Sequence, residues 1–183
     1  MPKTNKIVIT AALFLAFMLF FLKGKAAPKK ARSMSTYLDI LKNAIPAHEG
    51  FSSVPYWDFK QWSWGYGSRV PGSDSINIGK AAALKKYGKV TEAEALAQML
   101  QYIDTFWAQI RPKIKVLLNE QQKAALIQFT YALGPGNAFN LIKYINVNDP
   151  NLKNHWLSYN KVAGKVNKYT QLLRQKEWDM WNS

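Results

Sequence analysis

The helical periodicity of this chain breaks once, over residues 51–78, and that break limits the folds open to it. Before it, Tyr37, Leu38, Leu41 and Ile45 recur at helical spacing and predict a helix that delivers Glu49 at its C-terminal end. Within it, Gly, Pro, Ser and aromatic residues replace the periodic pattern, as short strands and turns require. After it, Thr91-Glu92-Ala93-Glu94 is a capping box opening a helix through Ala95, Met99, Ile103 and Phe106. Residues 117–133 read as the most apolar helix, stopped by Gly134-Pro135-Gly136. Further helices are expected at 138–146, 151–162 and 167–181. One small β hairpin set in a helical domain is an α+β arrangement, mostly helical, with a natural cleft between two lobes.

The break also carries the chemistry. Glu49 and Asp58 stand nine positions apart, one at a helix end and the other entering the hairpin. Hydrolysis of a glycosidic bond needs such a pair, one acid protonated to donate to the leaving oxygen and the other ionised. Phe51, Tyr56 and Trp57 surround Glu49 in sequence and would desolvate it, raising its pKa as a general acid requires. Strand alternation over Trp62-Ser63-Trp64-Gly65-Tyr66-Gly67 puts Trp62, Trp64 and Tyr66 on one face, expected as hairpin core, and Ser63, Gly65 and Gly67 on the other. The small face leaves room for a substrate to approach the backbone, and Ser63 is placed to hydrogen-bond a water there. Tyr56, Gly65, Gly67 and Tyr131 are the candidates to line a substrate cleft. The chain has no cysteine, which excludes disulfides, thiolate metal sites and a cysteine nucleophile. His48 and His155 are its two histidines, and neither sits in a metal-binding or nucleophile-elbow context, so no metal is expected.

The run Glu49-Gly50, Tyr56-Trp57-Asp58 and Trp62-Ser63-Trp64-Gly65-Tyr66-Gly67 resembles the phage-type lysozymes, glycoside hydrolase family 24, whose signature is E-G, eight residues between Glu and Asp, then W-T-I-G-Y-G. The likeness continues through Leu118-Asn119-Glu120-Gln121-Gln122 and the stretch from Ala125 to Gly134. It closes on Leu172-Leu173-Arg174-Gln175-Lys176-Glu177-Trp178-Asp179, so that it covers about residues 35–183. The resemblance implies a lysozyme-like domain that cuts the β-1,4 bond between N-acetylmuramic acid and N-acetylglucosamine in peptidoglycan, as a monomer without a cofactor. It implies Glu49 as general acid and Asp58 as the carboxylate that aligns water or stabilises the developing cation. Ser63 falls where the family usually has a threonine that holds that water, and Arg174 matches a terminal-helix arginine that orients the catalytic Glu. Three departures stand out. Asp58 and Ser63 are separated by one residue fewer than in the family, serine replaces threonine, and Ser68 replaces a frequent histidine. The short spacing is what favours the alternative, a catalytically inactive wall-binding or structural virion protein.

Residues 7–22 carry no charge and as a helix would cover roughly 24 Å at ~1.5 Å per residue, somewhat short of a hydrocarbon core of ~30 Å. Lys6 and Lys23 flank them and can snorkel. A cleaved signal has the same order of segments, but Gly24-Lys25-Ala26-Ala27-Pro28 is a poor cleavage region, so an uncleaved membrane anchor is expected. The division is then residues 1–32, a transmembrane anchor with a basic linker, and residues 33–183, the catalytic domain. Five basic residues follow the apolar run and two precede it, which by the positive-inside tendency would hold the domain in the cytoplasm. Hydrolysis of the wall requires instead the periplasmic face of the host inner membrane, or a virion membrane. The net charge of +14 is shared between the ends: residues 1–32 hold seven Lys and Arg with no acid, leaving 18 against 11 Asp and Glu. A basic domain fits an anionic wall; nucleic acid is not the expected partner, since no helix-turn-helix or zinc signature is present.

Overall fold

The computed structural model describes residues 36–58 and 61–183. The expected anchor and linker, residues 1–32, lie outside the described residues, as do Phe59 and Lys60. Among the described residues no helix is long and apolar enough to cross a membrane. Helix α1 (Thr36–Glu49) buries Tyr37, Leu38, Leu41 and Ile45 along one stripe and ends where Gly50, at φ 69°, donates its N–H to the Pro46 carbonyl (3.0 Å). The aromatic segment then forms a three-stranded antiparallel meander of β1 (Ser52–Asp58), β2 (Gln61–Gly65) and β3 (Ser68–Arg69). Asp58 pairs with Gln61 and Tyr56 with Ser63, so two residues join the strands, and the register shifts between Tyr56 and Ser52.

Helix α2 (Lys80–Tyr87) covers β1, and α3 (Glu92–Ile110) runs on from the sheet. The capping box at Thr91 and Glu94 forms as the sequence predicts, each side chain bonding the other's backbone N–H. A 3-10 turn (Arg111–Lys113) leads towards α4 (Glu120–Leu133), which packs against α1, α3, α5 and α7. Its residues from Ala124 to Thr130 are buried all round, the mark of a central helix. Helices α5 (Pro135–Asn146), α6 (Leu152–Leu157) and α7 (Lys168–Trp181) complete the helical side.

The structure is the mostly helical α+β fold the pattern implied, with differences of detail. The apolar helix begins at Glu120, capped by Asn119, because Leu117 points fully into solvent. Gly134 ends α4, but Pro135 opens α5 at once, since proline's missing N–H costs nothing in a first turn. The helix expected over 151–162 stops at Leu157, and a second antiparallel ribbon, β4 (Lys161–Val162) with β5 (Lys165–Val166), precedes α7. Tyr66 lies beyond β2, so the aromatic alternation divides. Trp62 joins Val70 and Ala83 in a small cluster under the sheet, Tyr66 enters the main helical core, and Trp64 packs on both.

Candidate active site

Glu49 is the last residue of α1, and the structure aims it at the chain reversal between β2 and β3. There Gly67 takes φ 79°, and a Cβ built on it would lie 3.1 Å from Glu49 Oε2. Glycine at this position lets the backbone close over one side of the carboxyl. Glu49 as a residue stays open to solvent, while its carboxyl end is crowded. Desolvation and the charge of Asp58 push its pKa up to about 6, and Arg174 pulls weakly the other way. The sequence argument from aromatic neighbours thus reaches the right shift for a partly different reason. Phe51 is itself exposed and leans on Tyr66 (5.6 Å between ring centroids), and backbone packing at Gly67 adds to the crowding.

Asp58 ends β1 on the exposed rim of the sheet. Its field reaches Tyr56, whose hydroxyl is pushed up to about 12 by burial first, then by Asp58 and Glu49. Tyr56 is therefore coupled to both carboxylates across the shortened hairpin. Ser63 is fully enclosed, and its Oγ accepts a hydrogen bond from Gln61 Nε2 (3.1 Å). Gln61, unmarked in the sequence reading, is the residue of this pair that lines the open cleft.

That cleft has a volume of about 320 Å³ and is bounded by Gln61, Gly67, Ser68, Arg69, Tyr102, Phe106 and Tyr131. Tyr131 ties the helical and sheet sides together. Its hydroxyl donates to the Tyr66 carbonyl (2.7 Å) and meets Ser68 Oγ at 3.0 Å, so Ser68 is the donor in the second contact. Burial holds the Tyr131 hydroxyl in its neutral, donating form. Phe106 sets its edge against the Tyr131 ring and stacks on Tyr102, giving an aromatic wall opposite the glycine backbone. Gly65, expected to line the cleft, is not among its lining residues: a Cβ there would come within 2.6 Å of Ala95 Cβ, so its role is strand–helix packing.

Behind Glu49 lies a buried charged group. Arg174 on α7 is 1% exposed; its Nη2 donates to Glu177 Oε1 (2.8 Å), and its guanidinium sits 5.0 Å from the Phe129 ring centroid. Glu177 Oε2 accepts the indole N–H of Trp156 (3.0 Å), and burial pushes its carboxyl up. Arg174 Nε and Nη1 have no hydrogen-bond acceptor among the described residues. Arg174 acts on Glu49 through its field, while its hydrogen bond goes to Glu177. In sequence Glu177 resembles any helical surface acid, and only the i, i+3 spacing to Arg174 hints at the pair. The first turn of α7 braces the acid from another side. Tyr169 stacks on His48 (4.8 Å) and donates its hydroxyl to the His48 carbonyl (2.7 Å).

The phage lysozyme family model matches residues 46–178. Comparison with curated proteins gives no match. Among solved structures, the muramidase domain of SpmX from Asticaccaulis excentricus aligns with TM-score 0.64 at 16% identity, over 79% of this chain and 95% of that one. The endolysin from Escherichia coli O157:H7 phage FAHEc1 aligns with TM-score 0.62 at 24% identity, over 82% and 94%. The active form of the P1 phage endolysin Lyz aligns with TM-score 0.59 at 15% identity, over 90% and 91%. At these identities the likeness is one of fold.

Proposed function

The chain belongs to the phage lysozyme family, and from that premise we propose that it is a muramidase, hydrolysing the β-1,4 bond between N-acetylmuramic acid and N-acetylglucosamine. The single observation that carries this reading is the environment of Glu49, a carboxyl set against Gly67 of the cleft wall and raised to about 6, with a second carboxylate close enough to contribute to the rise. Below that pH Glu49 is mostly protonated and can donate to the leaving glycosidic oxygen. Asp58, on the solvated rim, is the partner that aligns the water or steadies the positive charge growing on the sugar ring. Gln61, which pairs with Asp58 across the hairpin and lines the cleft, donates a hydrogen bond to Ser63. Tyr131 and Ser68 hold the Gly67 segment against Glu49.

The test is release of reducing sugar ends from purified peptidoglycan. The unsubstituted chain should release them with N-acetylmuramic acid at the reducing end, and Glu49→Gln should abolish release. Wall binding without sugar release by the unsubstituted chain would sink the muramidase reading. An anhydro end would assign a lytic transglycosylase instead.

Residues 7–22 are proposed as an uncleaved membrane anchor that holds the enzyme beside the wall, for host lysis or wall penetration during infection. Their charge-free run between Lys6 and Lys23 supports this. An anchored chain stays with membranes through an alkaline carbonate wash and keeps its full mass, whereas a mature chain starting near Pro28 refutes the anchor.

A further inference from the structure

Outside the cleft, another depression of about 370 Å³ opens between Tyr37, Trp107, Arg111, Ile114, Leu118 and Lys123. Tyr37 belongs to the first turn of α1, and its ring leans on Trp107 (5.9 Å between centroids). The acid between Tyr37 and Lys123 is already engaged: Glu120 accepts from the Tyr37 N–H (3.1 Å) and pairs with Lys123.

One edge of the depression is the segment that leads from the 3-10 turn into α4. Ile114 takes an extended conformation (φ −88°, ψ 121°), and from there side chains alternate as in a strand. Ile114, Val116 and Leu118 are half-buried and pack on the helical core, while Lys113, Lys115 and Leu117 are exposed. Asn146, the last residue of α5, holds that register. Its Oδ1 accepts from the Lys115 N–H (2.8 Å), and its Nδ2 donates to the Lys113 carbonyl (2.8 Å). Two lysines and a leucine are therefore displayed on one side of a pinned backbone.

Charge along this segment has one sign. Between Asp104 and Glu120 the chain has no acidic residue and carries Arg111, Lys113 and Lys115. None of the three has an acidic partner among the described residues. Leu117 is wholly exposed. A single exposed leucine is ordinary. A leucine held outward beside three unpaired cations is matched only in part by an anionic glycan, which leaves the leucine hydrated. An anionic lipid surface takes the cations at its headgroups and the leucine among its acyl chains. Trp107, half-buried on the same depression, has the ring that a membrane–water interface favours.

We propose that this face, Leu117 with Arg111, Lys113 and Lys115, docks on the surface of an anionic phospholipid bilayer. The docking goes beyond the hydrolase reading and does not require residues 7–22 to span a membrane. Helix α3 carries Tyr102 and Phe106 of the cleft and then Trp107 and Arg111 of this face, so docking fixes how the cleft stands to the membrane.

The chain has no cysteine, so Leu117→Cys gives one attachment point for an environment-sensitive fluorophore. Ile76→Cys, at an exposed site between β3 and α2, gives a control. The full chain with either label is mixed with phosphatidylcholine vesicles, with or without phosphatidylglycerol and with or without brominated acyl chains. On phosphatidylglycerol vesicles the label at 117 should shift to the blue and be quenched by bromine, while the label at 76 does neither. Adding Lys113→Glu and Lys115→Glu should lower the ratio of docked to free face about tenfold, as the loss of two basic contacts with an anionic surface predicts. Lys113→Arg with Lys115→Arg should keep the shift. An unshifted label at 117 on phosphatidylglycerol overturns the proposal. Flotation of the chain with the vesicles in that case leaves the anchor standing and removes only the docking face. A blue shift in the absence of lipid means that a second copy or residues 7–22 cover Leu117, and a shift on purified peptidoglycan alone means a wall contact. Quenching as strong on pure phosphatidylcholine means that charge has no part. Each of these three results overturns the proposal.

Discussion

At the scale of single residues, the raised pKa of Glu49 has two measurable consequences. The alkaline limb of kcat/KM reports the free enzyme's essential acid, so activity should decline above a midpoint near pH 6. A bell whose alkaline limb lies above pH 8 would remove Glu49 from that role. The same shift makes the ionised carboxyl a cost to folding. A carboxyl raised from 4.5 to about 6 destabilises the fold fully above pH 6 and not at all below 4.5. Glu49→Gln should therefore gain stability relative to the parent as pH rises from 4.5 to 6 and hold that gain above. Because the residue is exposed, the gain is discounted to about 1 kcal/mol or less, a rise in Tm of about 2–4 °C. Arg174 acts in the opposite sense on the acid. Replacing it with Met removes the cation that lowers Glu49, so the alkaline limb should move to higher pH. The same change leaves Glu177 buried without its ion partner, at a cost of about 3 kcal/mol in thermal unfolding. A stable variant with an unmoved limb would show that Arg174 does not act on Glu49. Glu49 was legible in the sequence through the motif it opens, although Gly67 and Arg174, which act on its carboxyl, come from the sheet and from α7. Glu177 was not, because the Trp156 indole that holds it comes from a different helix.

Secondary-structure elements were legible where capping and burial agree. The Thr91 capping box and the buried stripe of α1 stand where the sequence puts them. Helix α2 has no clear signature in sequence because it buries only Ala83 fully, so it has almost no apolar period to read and forms from Ala, Leu and Lys propensity. The β4–β5 ribbon carries no hairpin signal in sequence, because its turn has Ala163-Gly164 in place of Asn-Gly, and only Lys161 and Val162 fall inside the helix expected over 151–162. Three-dimensional packing adds what no local pattern holds, as at Gly65, where β2 and α3 meet with no room for a methyl group. Gly72 is a natural control, since it has a similar φ of 66° but open space around it. Gly72→Ala should cost only the backbone strain, about 1 kcal/mol. Gly65→Ala adds an overlap with Ala95 at 2.6 Å and should cost about 2–4 kcal/mol. Chemical denaturation of the two variants checks this, and equal losses would mean that β2 and α3 part easily.

At the scale of the whole molecule, the basic excess and the cleft are separate devices. The groups proposed for catalysis are few and held by α1, the sheet and α4, whereas the excess of Lys and Arg over Asp and Glu runs along the chain. Under the proposed function, a glycan segment, uncharged along its sugar rings, would meet Tyr102, Phe106, Tyr131 and the Gly67 backbone, which line the cleft. The wall as a whole is anionic and would meet the exposed lysines. Salt should therefore act on the two encounters unequally. Raising ionic strength from about 0.05 to about 0.5 M shortens the screening length to well under 10 Å and weakens attraction between a basic domain and an anionic polymer. The rate on sedimented wall should then fall by about tenfold while hydrolysis of short, peptide-free oligosaccharide changes less than about twofold. A parallel fall on both substrates would place the salt-sensitive step inside the cleft, at Arg69 or the Glu49–Asp58 pair. A flat response on both would leave the basic surface without a part in reaching the wall.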